Sequence, residues 1–171
     1  ITGGRSDAGI LVQGARDTSL RRNRLDSLEH GIRIERRCAG VSIRDNRVHA
    51  RVGILIRGRA SDVLVKHNDL ERNRRGIAIE SKEGELPSGV EIHYNDLRKN
   101  SRWGLKVNAE NPTELDIARI DATNNWWGDS KGPSGQGPGR GSAVSKGAAF
   151  EPWLTDYWQP TWVSLAKDTL P

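Results

Sequence analysis

The stretch GILIRGRASDVLVKHNDL, residues 53–70, decides the reading of this chain. After Gly53 it alternates apolar side chains at Ile54 and Ile56, and it alternates again at Val63 and Val65 before closing on Asn68 and Leu70. Residues at i and i+2 lie on one side of a strand, and runs this short have neither the length nor the period of a helix. The Gly phrase recurs as Gly9-Ile10-Leu11-Val12, Gly31-Ile32-Arg33-Ile34, Gly76-Ile77-Ala78-Ile79 and Gly104-Leu105-Lys106-Val107, so successive glycines are 22, 22, 23 and 28 residues apart. The second phrase recurs as Val41-Ser42-Ile43 with Asn46 and as Val90-Glu91-Ile92 with Asn95; Asn23 and Asn125 mark looser copies. Two residues beyond each Asn stands an apolar side chain: Leu25, Val48, Leu70, Leu97 and Trp127.

A unit of about 22 residues with three such short strands cannot bury its own apolar side. Stacking puts each strand beside its copy in the next unit, about 4.8 Å away. The spacing therefore predicts an all-β chain, a right-handed parallel β-helix of about five coils with three parallel sheets around a narrow core. Asn suits a tight bend, where its side chain bonds backbone and it tolerates the left-handed conformation, and stacked copies can form a ladder. The Gly is expected at a corner that needs backbone freedom. A leucine-rich solenoid would need a denser Leu pattern. The repeat resembles the pectate-lyase-like superfamily, in particular its generic NosD-type and surface-protein repeats, over about residues 5–128. That resemblance implies the fold. It leaves activity open, because the superfamily includes lyases, hydrolases, epimerases and non-enzymes.

From Asp121 the composition changes. Asn124-Asn125-Trp126-Trp127-Gly128, then Gly132-Pro133 and Gly137-Pro138-Gly139, then Phe150-Glu151-Pro152-Trp153-Leu154, resemble the ending that closes many β-helix proteins. Residues 1–128 are read as coils and 129–171 as a Gly/Pro loop with a Trp-rich C-terminal cap and tail, within one structural domain. The expected job of Trp126, Trp127, Phe150 and Trp153 is to cover the last coil's apolar edge. A matching N-terminal cap is not apparent, so preceding coils or self-association are expected at that edge. The opening residues are read as a mature form or an excised piece without a leader. The resemblance implies a secreted or cell-surface location.

Only 35% of the residues are hydrophobic and 29% are charged, which fits a thin, elongated fold. No run approaches 18 apolar residues, which argues against a membrane span. The net charge of +5 divides unevenly: residues 1–113 carry 22 Lys and Arg against 15 Asp and Glu, residues 114–171 carry 5 against 7. The single Cys38 forms no internal disulfide.

Residues between the inward ones form outward columns. After the Gly corner these are Leu11/Gln13, Arg33/Glu35, Leu55/Arg57, Ala78/Glu80 and Lys106/Asn108. Glu35 and Glu80, two rungs or about 9.6 Å apart with Arg57 between them, are the candidate catalytic residues of a lyase or glycosidase, near the upper limit of about 9.5 Å for an inverting pair. The preferred reading is a ladder of opposite charges. The second sheet carries Arg21, Arg44, Lys66 and His93. With Arg33, Lys106 and the corner cations Arg51, Arg72, Arg74, Arg75, Lys99 and Arg102, they suit an acidic polysaccharide or other polyanion; the bland alternative is a solvated surface. Trp158 and Trp162 are candidates for a sugar-stacking platform.

No cofactor is expected. The histidines His30, His49, His67 and His93 lack the spacing of a metal site, although His30 and His49 are placed in one corner of adjacent coils. Asp129 in the Gly/Pro loop could meet calcium, but nothing there resembles an EF-hand. Asp45, Asp69 and Asp96 are expected not to form an acidic cluster with an Arg. The aspartates of polygalacturonase-type hydrolases and the Asp-Pro-His of alginate epimerases are also missing. The expected function is thus an extracellular, non-catalytic module that binds an anionic polymer. The alternatives are an enzyme on uronic-acid glycans and a structural stalk without ligand.

Overall fold

A computed structural model of the chain describes residues 8–110 and 120–157. Its strands are β1 (Ala8–Gln13), β2 (Ser19–Arg21), β3 (Arg24–Glu35), β4 (Ala39–Arg44), β5 (Arg47–Arg57), β6 (Ser61–Lys66), β7 (Arg75–Glu80), β8 (Ser88–His93), β9 (Trp103–Asn108), β10 (Ile120–Asp121), β11 (Pro133–Gly135), β12 (Gly141–Val144) and β13 (Ala148–Ala149). They form two parallel sheets, in the order β1-β3-β5-β7-β9-β12-β11 and β13-β10-β8-β6-β4-β2. About four turns of a solenoid join the five stacked strands β1, β3, β5, β7 and β9.

The repeat and the register agree residue by residue. Ile32, Ile54, Ile77 and Leu105 pair in succession along the first sheet, and Ile43, Val65 and Ile92 along the second. All are inaccessible to solvent, as are Leu25, Val48, Leu70, Leu97 and Trp127. Each such Ile or Leu contributes on the order of 1.5–3 kcal/mol by leaving water. The third side of the coil is less regular than the other two. Arg24 pairs with Arg47 and Leu25 with Val48 within the long strands β3 and β5, but from there single bridges join Arg47, Asp69, Asp96 and Trp126. The chain turns again within a few residues of each bridge, at Arg72 and Lys99 (φ 58 and 56), which leaves no room for a longer ladder.

The asparagine ladder is continuous. Asn23 donates Nδ2 to Asn46 Oδ1 (2.9 Å), Asn46 to Asn68 (3.0 Å), Asn68 to Asn95 (2.9 Å) and Asn95 to Asn125 (3.0 Å). Each residue just before these asparagines is left-handed: Arg22, Asp45, His67, Tyr94 and Asn124 have φ of 55–58. A second, shorter ladder runs along another corner. The N–H of Ala50 reaches Asn73 Oδ1, that of Asn73 reaches Asn100 Oδ1, and that of Asn100 reaches Ser142 Oγ.

The recurring glycines serve close approach rather than unusual φ. None of Gly31, Gly53, Gly76 and Gly104 is left-handed. A Cβ on Gly53 would lie 2.5 Å from the Gly76 carbonyl oxygen, and one on Gly76 2.8 Å from that of Gly104. Successive coils touch backbone to backbone at this corner. After the last long strand, β12 pairs with β9 and β13 with β10, and Phe150 and Trp153, stacked with ring centres 6.3 Å apart, pack against the core.

Candidate functional site

The first sheet places Glu35, Arg57 and Glu80 on its outward column: Gln13 lies beside Glu35, and Arg57 beside Glu80. Each carboxylate is already engaged. Glu35 is 3% exposed, accepts from Gln13 Nε2, and lies 2.8 Å from Arg33 Nη2. Burial alone would raise its carboxyl, but the hydrogen bonds from Gln13 and Arg33 hold it below the usual range. Glu80 pairs with Arg75 Nη1 at 3.2 Å and accepts from Asn108 Nδ2. Arg57 makes no ion pair among the described residues, and its buried Nε lacks a hydrogen bond. Between these columns Leu55 and Ala78 are buried, and with Val52 they form a small apolar cluster apart from the main core. The column is thus a charge ladder beside an apolar strip. Lys106 lies beside Ala78, its Nζ 4.7 Å from the Trp103 ring centre.

The second sheet stacks Arg21 on Arg44, Arg44 on Lys66, and Lys66 on His93. Among the described residues, Arg21, Arg44 and Lys66 have no carboxylate within 4 Å. Arg44 Nε donates to Ser42 Oγ, and Lys66 Nζ sits 5.1 Å above the Tyr94 ring. His93 closes the row: Nδ1 faces the Thr123 carbonyl at 3.0 Å and Nε2 lies 3.7 Å from Asp121. Burial and the neighbouring Lys66 charge lower the affinity of His67 for its proton.

The third side holds what sequence reasoning missed. Beside the inward Leu70 and Leu97, the phrases Asn68-Asp69-Leu70-Glu71 and Asn95-Asp96-Leu97-Arg98 turn Asp69, Glu71, Asp96 and Arg98 outward on adjacent rungs. Asp69 and Asp96 do form an acidic cluster with an Arg, contrary to the expectation. Arg98 Nε donates to Glu71 Oε2 at 2.9 Å and lies 3.1 Å from Asp96 Oδ2, while its guanidinium stacks 4.0 Å over the Tyr157 ring. Asp96 is 3% exposed. Burial pushes its carboxyl up to about 7; the N–H and charge of Arg98 oppose the rise, and the Asp69 and Glu71 charges add to it. His49, Asp69 and Glu71 each bring a ligand-type atom within 4.8 Å of the others, but Nδ1 of His49 faces Asp26 at 3.2 Å, and Arg47 and Arg98 balance the carboxylates. The signal was the acid that directly follows the ladder residues Asn68 and Asn95. His30 and His49 do not share a corner: His30 lies beside Val52, and His49 beside Asp26. Asp129 Oδ1 accepts from the Lys131 N–H, as in an ordinary turn. Trp158 and Trp162 lie outside the described residues.

The family description "Right handed beta helix region" matches residues 1–149. The chain belongs to the right-handed β-helix family. Comparison with curated proteins and with solved structures returned no match. Membership fixes the direction of winding, in accord with the strong preference of parallel crossovers, and leaves the ligand to be argued from this chain's own side chains. No helix among the described residues is long and apolar enough to cross a membrane.

Proposed function

We propose that this β-helix binds an anionic polymer, an acidic polysaccharide of a cell surface, across the outward face of β2, β4, β6 and β8, without transforming it. One observation carries the reading: Arg21, Arg44 and Lys66 stack on three successive rungs with no carboxylate within 4 Å among the described residues, whereas the other sides interleave acids with their cations, as in Arg33–Glu35, Arg75–Glu80 and Arg47–Asp69. Like charges about 4.8 Å apart across strands repel, and a polymer with a charge on each unit relieves the whole row. The pectate-lyase-like resemblance supports a glycan, a secreted or surface location, and a closing role for the Trp-rich segment from Trp126 to Trp153.

The test is binding of polygalacturonate and of a neutral polymer such as dextran, at low and moderate salt, with product release followed in the same samples. Polygalacturonate binding that weakens with salt, and falls about tenfold or more in Arg44→Ala/Lys66→Ala, is expected. New reducing ends or unsaturated products would instead move the function to Glu35, Arg57 and Glu80. Absence of both would leave a structural stalk.

A further inference from the structure

A cleft of about 510 Å³ opens where the last regular coil meets the Gly/Pro-rich loop. Its walls are the Arg98–Arg102 turn, the Trp126–Gly128 segment and the loop around Arg140–Ala143, and among the described residues no Asp or Glu lines it. Arg98 is neutralised by Glu71 and Asp96. The other three cations, Lys99, Arg102 and Arg140, have no carboxylate within 4 Å among the described residues and are exposed. Gathered around one concavity, they produce a positive potential that the surrounding low-dielectric wall concentrates.

A second observation is independent of charge. Trp126 and Trp127 both belong to the cleft wall, and their Nε1 atoms are buried with no acceptor among the described residues. Trp127 is wholly buried. A buried indole N–H normally finds a partner, and leaving one unpaired costs on the order of 1–3 kcal/mol. The unpaired cations call for an oxyanion, and the half-buried Trp126 brings an aromatic wall to the same cleft. The volume lies in the range of small-molecule pockets, roughly 300–1,000 Å³, well beyond what a bare anion fills. Trp126 and Ala143, both half-buried, offer apolar surface to the rest of a ligand.

The loop wall is preformed. Gly141 N–H donates to the Gly132 carbonyl (3.1 Å), Ser142 N–H to that of Trp127 (2.8 Å), and Ser134 Oγ to that of Gly141 (2.7 Å). A Cβ on Gly141 would lie 2.6 Å from the Trp127 carbonyl oxygen, so the loop seats against the coil backbone to backbone. Little ordering is then left for the ligand to induce.

We propose that this cleft is a separate binding site for one acidic sugar unit, with its oxyanion held by Lys99, Arg102 and Arg140 and its ring against Trp126. The site is built from residues other than the Arg21–Arg44–Lys66 row and stands whether or not a polymer binds that row. It is tested by calorimetric titration of the whole chain with D-galacturonate, D-galactose and inorganic phosphate, while ¹⁵N NMR follows the indole N–H signals. Galacturonate should give saturable heat and shift the Trp126 indole signal, and galactose should give neither. Lys99→Ala/Arg140→Ala should weaken galacturonate about tenfold or more with unchanged thermal unfolding, and Arg44→Ala/Lys66→Ala should leave it unaltered. Equal affinity in the Lys99/Arg140 variant, or no saturable heat, overturns the proposal. Phosphate binding as tightly as galacturonate overturns the sugar assignment in favour of a free oxyanion, and loss confined to the Arg44/Lys66 variant returns the binding to the polymer face.

Discussion

Replacing Asp96 with Asn should make the protein more stable, and increasingly so as pH rises. Asp96 is almost wholly buried, shares Arg98 with Glu71, and holds its proton up to about pH 7, against about 3.9 for an Asp in the unfolded chain. Between those values the folded chain binds a proton that the unfolded chain has released, so stability falls as pH rises, by about 1.4 kcal/mol per unit. From pH 5 to pH 7 that amounts to about 2–3 kcal/mol, and above pH 7 the loss levels off. Asn keeps the side-chain oxygen that accepts the Arg98 N–H at 3.1 Å and carries no charge to bury. Arg98 keeps Glu71 as its partner. Thermal unfolding of both chains at pH 5 and pH 7 reads the difference. For a chain of this size each kcal/mol corresponds to roughly 2–4 °C, so the advantage of Asp96→Asn should widen by about 5–10 °C between the two pH values. A constant gap, or one that narrows toward pH 7, would refute the account of Asp96 as a proton-holding carboxyl.

Asn68→Ala removes donors to the Ile43 and Lys66 carbonyls and to Asn95 Oδ1, and the acceptor used by Asn46; the loss of stability should be about 3–5 kcal/mol by denaturant unfolding. Gly53→Ala pushes a methyl to 2.5 Å from the Gly76 carbonyl oxygen, and backbone cannot yield as a side chain does, so a loss of about 1–3 kcal/mol is expected in the same assay. Glu35→Gln should cost about 1–2 kcal/mol at neutral pH. Because the Glu35 carboxyl is held below its usual range, its charge stabilises the fold above the unfolded pKa and ceases to as pH falls, so the cost should shrink in acid.

The winding, the inward columns and the first asparagine ladder could all be read from the sequence. Period-two alternation sets which side chains enter the core, and a constant repeat length sets which copy lies beside which: Arg21, Arg44, Lys66 and His93 fall in one row by counting alone. Counting also put Glu35, Arg57 and Glu80 together, but not the fact that Gln13, Arg33 and Arg75 already occupy the two carboxylates. The reason for the glycines was misread, because close approach of coils is a distance between residues about 23 apart and leaves no mark on local φ. Asp69, Glu71, Asp96 and Arg98 were visible as residue types. Their meeting depends on where the third side turns, which single bridges and two left-handed residues decide. The cleft beside Trp126 and Trp127 lay furthest from what the sequence determined. Its walls come from distant parts of the chain, as in the bond across 42 residues from the Asn100 N–H to Ser142 Oγ. Repetition fixes what each rung presents, but a loop folded back on the last rung obeys no repeat, so only the tertiary structure places its charges.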